Sequence, residues 1–287
     1  MRALVLAGLL LCSLTSHAQL SPAFIAVDRW LEEAGDPSIK TSFGLAAVFV
    51  GGTAVPGPPG QEGPFGRQRK SDGLIGLGTI DVAIDAPFDA RGSVTAGLGF
   101  FRGDGFANPR DALFEPGEPP QVLMFGGFRD MLTVTGPGTG PGTVSAFGRT
   151  GDTTGDGAFL LTYSASGALL DSDNFRSSGS AGSFQLTVDA PPGAQVLLIM
   201  EHLFERLDAV QGGPPLSTRF DLAVNRFETS EGLSVTAASG GLQAVDGGYV
   251  YAPIPEPSTT ALMLAGLLII LGTCSARMGT RRSVVKT

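Results

Sequence analysis

Glycine and proline are the residues that most constrain what this chain can fold into. The 287 residues include 42 Gly and 20 Pro, and these do not follow the triplet period of collagen. They separate short apolar runs, which is the pattern of strands joined by turns. With 43% hydrophobic and 16% charged residues, the chain is too apolar to be disordered. The pattern therefore predicts an all-β protein and disfavours a long helical bundle.

The spacing of the apolar runs predicts a β-sandwich of jelly-roll-like type. The predicted strands are Phe43–Val50, Leu74–Ile84, Ser93–Phe101, Gln121–Phe128, Met131–Thr135, Thr143–Phe147, Ala158–Tyr163, Ser183–Val188, Gln195–Leu203, Thr218–Asn225, Leu233–Ala237 and Gly248–Tyr251. The run Gln195–Leu203 also fits an amphipathic helix, because apolar residues continue at helical spacing to Val210. We favour the strand, since a Pro-Pro-Gly turn precedes it.

Three further segments complete the expected organisation. Pro22–Ala34 has apolar residues on one helical face and predicts a short helix. The Gly- and Pro-rich stretch 56–69 predicts an exposed loop. The stretch 136–142 is either a hairpin loop or a boundary between two subdomains. We favour the loop, because the strand pattern resumes unchanged after it.

The N-terminal residues have the features of a secretory signal peptide over residues 1–18. Arg2 is the positive start, Ala3–Leu14 is an apolar stretch, and the small residue Ala18 favours cleavage before Gln19. The alternative is a buried N-terminal helix. From the signal peptide we expect export through the inner membrane by the Sec machinery and cleavage by signal peptidase.

The C-terminal end, residues 253–287, combines three features in a fixed order. Pro255-Glu256-Pro257 is followed by Thr259–Ala276, an uncharged stretch long enough to span a bilayer as a helix. A basic tail over 277–287 follows, and its positive charge favours the cytoplasmic side. Its basic residues are Arg277, Arg281, Arg282 and Lys286. The segment between the two ends, residues 19–252, is then the exported domain.

This C-terminal arrangement closely resembles the PEP-CTERM sorting signal of Gram-negative bacteria. The resemblance implies that an exosortase processes the chain near Glu256, after a transient single-pass membrane form, and that the product reaches the cell surface or extracellular matrix. It also implies a setting of exopolysaccharide and biofilm. The strand pattern of Met131–Tyr251 is similar to the β-sandwich domain common in PEP-CTERM proteins. A permanently anchored protein with a chance Pro-Glu-Pro is the alternative.

Catalytic motifs are sparse in the exported domain. His202 is its one histidine, and Cys12 and Cys274 both lie in the apolar ends, so no Cys–His pair or thiolate zinc site is available. We expect His202 at the exposed edge of a strand. Two pairs of carboxylates would suit the hydrolysis of a sugar polymer if both members of a pair face a common side. They are Glu201 with Glu205 and Asp81 with Asp85.

Calcium is the one cofactor that the sequence leaves open. Asp152 and Asp156 flank a Gly-containing turn, and Asp171 and Asp173 lie two residues apart in a second turn-like segment. Neither segment completes a calcium-binding loop, and aspartates of this kind also cap turn backbone. We expect no bound cofactor, with weak calcium binding at these four residues as the alternative.

Charge excludes one class of partner. The formal net charge is −8, and Gln19–Ile254 holds 14 basic against 26 acidic residues, which disfavours nucleic acid. Taken together, the sequence predicts an exported, non-enzymatic protein with a structural or adhesive role, for which exopolysaccharide is a candidate partner. The alternative is a carbohydrate-binding module or a carbohydrate-active enzyme acting on extracellular polysaccharide.

Overall fold

The computed structural model describes residues 42–55, 66–85, 89–109, 113–114, 119–137, 140–210 and 212–252. The two predicted terminal signals and the helix predicted over Pro22–Ala34 lie outside these residues. All described residues belong to one compact unit. Its strands are β1 Phe43–Val55, β2 Gly66–Ile75, β3 Gly78–Ile84, β4 Asp89–Gly97, β5 Phe100–Asn108, β6 Leu113–Phe114, β7 Gln121–Thr135, β8 Thr143–Thr150, β9 Thr154–Tyr163, β10 Leu169–Ser178, β11 Gly182–Asp189, β12 Gln195–Asp208, β13 Leu216–Thr229, β14 Ser234–Ala237, β15 Leu242–Val245 and β16 Gly248–Tyr251.

The strands form two antiparallel sheets that pack as a sandwich, which confirms the predicted all-β fold. Sheet A has the order β10-β9-β12-β7-β1-β2, with β14 beside β7 and β6 beside β1. Sheet B has the order β11-β8-β13-β5-β4-β3, with β16 beside β13 and β15 beside β16. Within the described part of the chain, no helix is long and apolar enough to cross a membrane.

Alternation along the strands explains why the two sheets pack face to face. On β3, every second residue is buried from Ile80 to Ile84, and β11 repeats this pattern from Phe184 to Val188. Because side chains alternate between the faces of a strand, each sheet presents one apolar face to the other. The central strand β7 is buried along most of its length, from Val122 to Leu132 on its inner face.

Several predicted strand boundaries are wrong, because periodicity alone does not register a tight turn. The run Leu74–Ile84 is two strands, the end of β2 and all of β3, separated where Gly76 adopts a φ of 142°. Ser93–Phe101 likewise spans the turn between β4 and β5, where Gly99 adopts a φ of 70°. In contrast, Gln121–Phe128 and Met131–Thr135 belong to the single strand β7.

Other predictions are confirmed or shortened. Gln195–Leu203 is a strand, as favoured, and extends as β12 to Asp208. The loop predicted over 56–69 is wrong from Gly66 onward, because β2 begins there, and residues 56–65 lie outside the described residues. The sequence pattern missed β10, whose side chains are mostly polar and exposed. The stretch 136–142 connects β7 of sheet A with β8 of sheet B, so both strands belong to the same sandwich.

Strands β7 to β12 pair in a nested manner. β7 pairs with β12, β8 with β11, and β9 with β10, while β9 also pairs with β12. The strands β7, β8 and β9 therefore form one arm of a long hairpin. The strands β10, β11 and β12 form the other arm, and each pairs with its counterpart in the first. This path places β9 and β12 side by side in sheet A, where the most unusual interior side chains of the described chain meet.

Candidate functional site

The central feature of the interior is His202, which lies between the two sheets with 1% of its surface exposed. The expectation of an exposed strand edge is wrong, because β12 is an inner strand flanked by β7 and β9. His202 has the same parity as Val196, Leu198 and Met200, all of which face the core. This alternation in the sequence was the signal that would have predicted a buried His202.

A β-bulge in β12 brings Glu205 to the same face as His202. On β7, Gly126 pairs with His202 and Met124 pairs with Glu205, so three steps along β12 match two steps along β7. One extra residue in a strand reverses the facing of everything beyond it. Without the bulge, residues three apart would point to opposite faces.

Asp156 holds one side of the imidazole ring. It lies directly across from His202 on β9, is fully buried, and its Oδ1 is 2.8 Å from Nδ1 of His202. Its other oxygen accepts hydrogen bonds from the hydroxyls of Thr150 at 2.8 Å and Thr153 at 3.0 Å. A buried carboxylate needs such partners, because an unsatisfied charge in the interior is strongly destabilising.

Glu205 and Phe220 surround the rest of the ring. Glu205 Oε2 is 3.4 Å from Nε2 of His202, an electrostatic contact without hydrogen-bond geometry, and Oε1 accepts a hydrogen bond from Thr218 at 2.9 Å. The Phe220 ring of sheet B stacks on the imidazole with centroids 4.1 Å apart. Gly126 makes room for this contact, since a Cβ there would lie 3.1 Å from Phe220.

The two carboxylates favour a protonated His202. Burial by itself lowers the pKa of His202, but the hydrogen bond to Asp156 and the negative charges of Asp156 and Glu205 outweigh it, so the pKa lies above its ordinary value. His202 in turn lowers the pKa of Glu205, against the effect of burial. The cluster is thus an internal ion triad that ties β9 to the bulged part of β12.

Glu201 does not join this cluster. It lies on the outer face of sheet A, where Arg176 Nη2 is 3.2 Å from its Oε1 and the Arg176 guanidinium covers the Phe159 ring at 4.8 Å. Burial raises the pKa of Glu201, while Arg176 acts to lower it. The two members of the predicted pair Glu201 and Glu205 therefore face opposite sides of the sheet. The bulge between them is the reason.

The other predicted pair is not enclosed. Asp81 and Asp85 are both exposed, Asp81 on the outer face of β3 and Asp85 just after that strand ends. Neither belongs to the interior cluster around His202.

The four calcium candidates have different surroundings. Asp156 is interior, and Asp152 accepts the backbone N–H of Ala181 at 2.8 Å. Asp171 and Asp173 each accept the N–H of the following residue with one oxygen. With the other they accept N–H groups of β11, from Asp189 at 2.8 Å and Thr187 at 2.9 Å. In the described ranges, no three His, Cys, Asp or Glu side chains are arranged to hold a metal ion.

A second interior polar cluster was not foreseen from the sequence. Asp130 of β7 is fully buried and accepts hydrogen bonds from the hydroxyls of Ser42, Ser239 at 2.6 Å and Tyr251 at 3.0 Å. Burial and the adjacent Asp130 carboxylate raise the pKa of Tyr251 well above its ordinary value. Tyr251 ends β16, so this cluster fastens the last described strand to the core.

The outer face of sheet B carries two shallow hollows. One, of about 590 Å³, lies across β3, β4, β5 and β13, and contains Arg91 and Phe106. The other, of about 400 Å³, lies further along β5 and β13, and contains Phe100 and Arg102. Both are open to solvent, in contrast to the buried clusters.

The remaining predicted site residues lie outside the described chain. They are the cleavage residues Ala18 and Gln19, the sorting motif Pro255, Glu256 and Pro257, and the basic residues Arg277, Arg281, Arg282 and Lys286.

Comparison with known proteins leaves the family open. No protein-family model matches the chain, and no curated protein matches it. Among solved structures, it is similar to the enzymatically active domain of tailspike protein 4 of bacteriophage CBA120, at 13% identity and a TM-score of 0.25. The match covers 56% of this chain and 19% of the tailspike chain. A similarity at that level carries no argument about fold or function.

Proposed function

We propose that this chain is an exported PEP-CTERM protein that an exosortase processes and that acts at the cell surface or in the exopolysaccharide and biofilm matrix. The observation that carries the proposal is the order of the C-terminal features: Pro255-Glu256-Pro257, then the uncharged stretch Thr259–Ala276, then the basic tail. The described sandwich ends at Ala252, so the motif follows the folded domain almost directly. A processing enzyme embedded in the inner membrane would meet it at the outer surface of that membrane as an accessible peptide.

A structural or adhesive role without catalysis fits the interior of the domain. A catalytic histidine must contact its substrate, whereas His202 is enclosed by Asp156, Glu205 and Phe220 and is 1% exposed. Its interactions join strands to one another. They support a role for His202 in holding the sandwich together under extracellular conditions, in a domain that has no cysteine for a disulfide.

The nested pairing of β7 to β12 supports the jelly-roll-like form of the sandwich. Such a fold arises when a long hairpin bends over so that its arms alternate between two sheets. Here the pairs β7–β12 and β9–β10 lie in sheet A and the pair β8–β11 lies in sheet B. We infer that these six strands form the jelly-roll part of the domain.

The test of the sorting proposal is the intact mass of the protein in membrane, surface and medium fractions of its host, with and without the exosortase. We expect a product that begins at Gln19 and ends near Pro255, and that appears only when the exosortase is present. Replacing Pro255, Glu256 and Pro257 with Ala should leave a longer, membrane-retained form. The matched control replaces Pro214 and Pro215, in the loop before β13, and should be processed normally.

Two outcomes would contradict the proposal. One is a mature protein that still contains Thr259–Thr287, which would mean permanent anchoring. The other is release of the shortened form from the Pro255-Glu256-Pro257 variant, which would mean that another protease makes the cut. Both results concern only the processing of the C-terminal end and do not bear on the structure of the sandwich.

The alternative, a carbohydrate-binding module, is favoured by one observation: the open, polar outer face of sheet B with its two hollows. The enzymatic version of that alternative has less support. Glu201 and Glu205 are separated by the sheet itself, so they do not flank a common bond in a substrate. Polysaccharide cleavage that is abolished by Glu201→Gln or Glu205→Gln would contradict this argument.

A further inference from the structure

The outer face of sheet B is organised in rows of side chains that run across its strands. Asp81, Ser93, Asp104 and Arg219 are successive partners on β3, β4, β5 and β13. Side chains that are paired across neighbouring strands point to the same face and lie about 5 Å apart. These four therefore form one continuous polar row. It makes up the floor of the larger hollow.

The adjacent row supplies an aromatic surface. Arg91 of β4 pairs with Phe106 of β5, and the guanidinium lies over the Phe106 ring, 4.8 Å from its centroid. Phe100 occupies the same face of β5 in the smaller hollow. Six residues of strand separate the two rings, or about 20 Å. An elongated ligand lying along β5 would meet an aromatic ring at each end.

Charges on this face are mixed rather than of one sign. The larger hollow holds the carboxylates of Asp81 and Asp104 with the guanidinium groups of Arg91 and Arg219, and its charges balance. The smaller hollow holds Asp221 with Arg102 and Arg149, so carboxylates and guanidinium groups occur together in both. A polyanion would be attracted by the arginines but repelled by the aspartates, and a polycation would meet the reverse. The face therefore suits a neutral ligand.

The hydrogen-bonding groups also select the chemistry of that ligand. Carboxylates only accept hydrogen bonds, guanidinium groups only donate them, and the Ser93 hydroxyl does both. A ligand that pairs with all three must carry groups that both donate and accept, which is the property of hydroxyl groups. Bonds between hydroxyls and ionised side chains are stronger than neutral ones. The Arg219–Asp104 pair, at 3.7 Å and about two-thirds exposed, is weak enough to exchange for them.

We propose that the outer face of sheet B is a binding site for a neutral, polyhydroxylated polymer, a polysaccharide chain that lies along β5 between Phe100 and Phe106. Where the polymer crosses the polar row, Ser93, Asp104 and Arg219 hydrogen-bond its hydroxyls. The Phe106 ring, together with the Arg91 guanidinium that lies over it, packs against the apolar side of one sugar ring. This inference rests on the carbohydrate-binding alternative given above, to which it adds a ligand class and a named site, and it is compatible with the matrix role. It concerns a purified protein, so it stands or falls independently of exosortase processing.

The test is affinity electrophoresis of the full chain in mild detergent, in gels that contain dextran, laminarin, galactomannan or alginate. We expect at least one of the three neutral polymers to retard the protein. Retardation should persist when salt is raised to about 0.5 M, because salt screens attraction between net charges and a neutral polymer carries none. Phe106→Ala and Asp104→Asn should each weaken that association at least about tenfold.

The matched control is Phe159→Ala. Phe159 is also a half-buried phenylalanine covered by an arginine at 4.8 Å, but it lies on the outer face of sheet A. Its replacement should leave retardation unchanged within about twofold, a difference too small for a lost ligand contact. Asp104→Asn keeps the shape of an exposed side chain, so it tests the site even if Phe106→Ala fails to fold.

Three results would overturn the proposal. The first is that none of the neutral polymers retards the protein. The second is that only alginate does so and that salt abolishes the effect, which would indicate a polyanion site. The third is that Phe159→Ala weakens retardation as much as Phe106→Ala does, which would place the site elsewhere. A sorting defect would appear in none of these measurements.

Discussion

Replacing His202 with Phe tests whether the interior ion triad holds the sandwich together. Phenylalanine keeps a ring that stacks on Phe220, but it loses the 2.8 Å contact with Asp156. Asp156 then remains a fully buried carboxylate with only the hydroxyls of Thr150 and Thr153 as side-chain partners. Removing one member of a buried ion pair typically costs about 3–5 kcal/mol. That is a large part of the roughly 5–15 kcal/mol by which domains are stable.

The assay is urea unfolding of the full chain in mild detergent, followed by far-UV circular dichroism. We expect His202→Phe to lose about 3 kcal/mol or more of unfolding free energy at pH 6. Asp156→Asn introduced into the His202→Phe protein should restore about 1 kcal/mol or more, because it removes the uncompensated charge. A loss below about 1 kcal/mol for His202→Phe, or strict additivity of the two changes, would refute the idea that the pair is coupled.

The same cluster predicts how stability depends on pH. The pKa of folded His202 lies above its ordinary 6.5, so its contribution is complete below pH 6.5 and is lost as pH rises through the folded pKa. The pKa of folded Glu205 lies below its ordinary 4.5, so its contribution is present above pH 4.5 and is lost as pH falls through the folded pKa. The triad should therefore stabilise most between pH 4.5 and 6.5. An equal effect of His202→Phe at pH 6 and pH 9 would contradict this assignment.

Three further predictions concern the edges and packing of the sandwich. Asp173→Ala should speed hydrogen exchange of the Thr187 amide, because that N–H loses its acceptor on β10; unchanged exchange would show that the contact is absent in solution. Tyr251→Phe should lower the unfolding free energy by about 1–2 kcal/mol through loss of a buried hydrogen bond, measured by urea unfolding, and a neutral effect would argue against the tether. Gly103→Ala should destabilise by about 1–3 kcal/mol, because its Cβ would lie 2.2 Å from the Phe220 ring. Gly140→Ala, with open space around it, is the thermal-melting control, and equal shifts would refute the packing argument.

Local patterns were sufficient for much of the secondary structure. Strands such as β11 alternate strictly between buried and exposed residues, so the sequence identifies both the strand and its inner face. The same patterns failed to locate tight turns. The two-residue turns at Gly76 and Gly99 are short enough for an apolar pattern to continue through them. The strand β10 was missed because Asp171 and Asp173 stand where a hydrophobic pattern requires apolar residues. Their carboxylates accept N–H groups of β11 in the neighbouring sheet.

The candidate sites show where sequence reasoning ends. Composition and the spacing of the apolar runs were sufficient to predict that the described domain is all-β. They also show that the chain is acidic and that its two cysteines lie in its apolar ends. Only the tertiary structure decided that Glu205 joins the interior His202 while Glu201 does not. The reason is a single bulge in β12, set by its pairing with β7 and β9, which reverses the facing of every later residue in that strand. No local pattern records a pairing partner more than forty residues away.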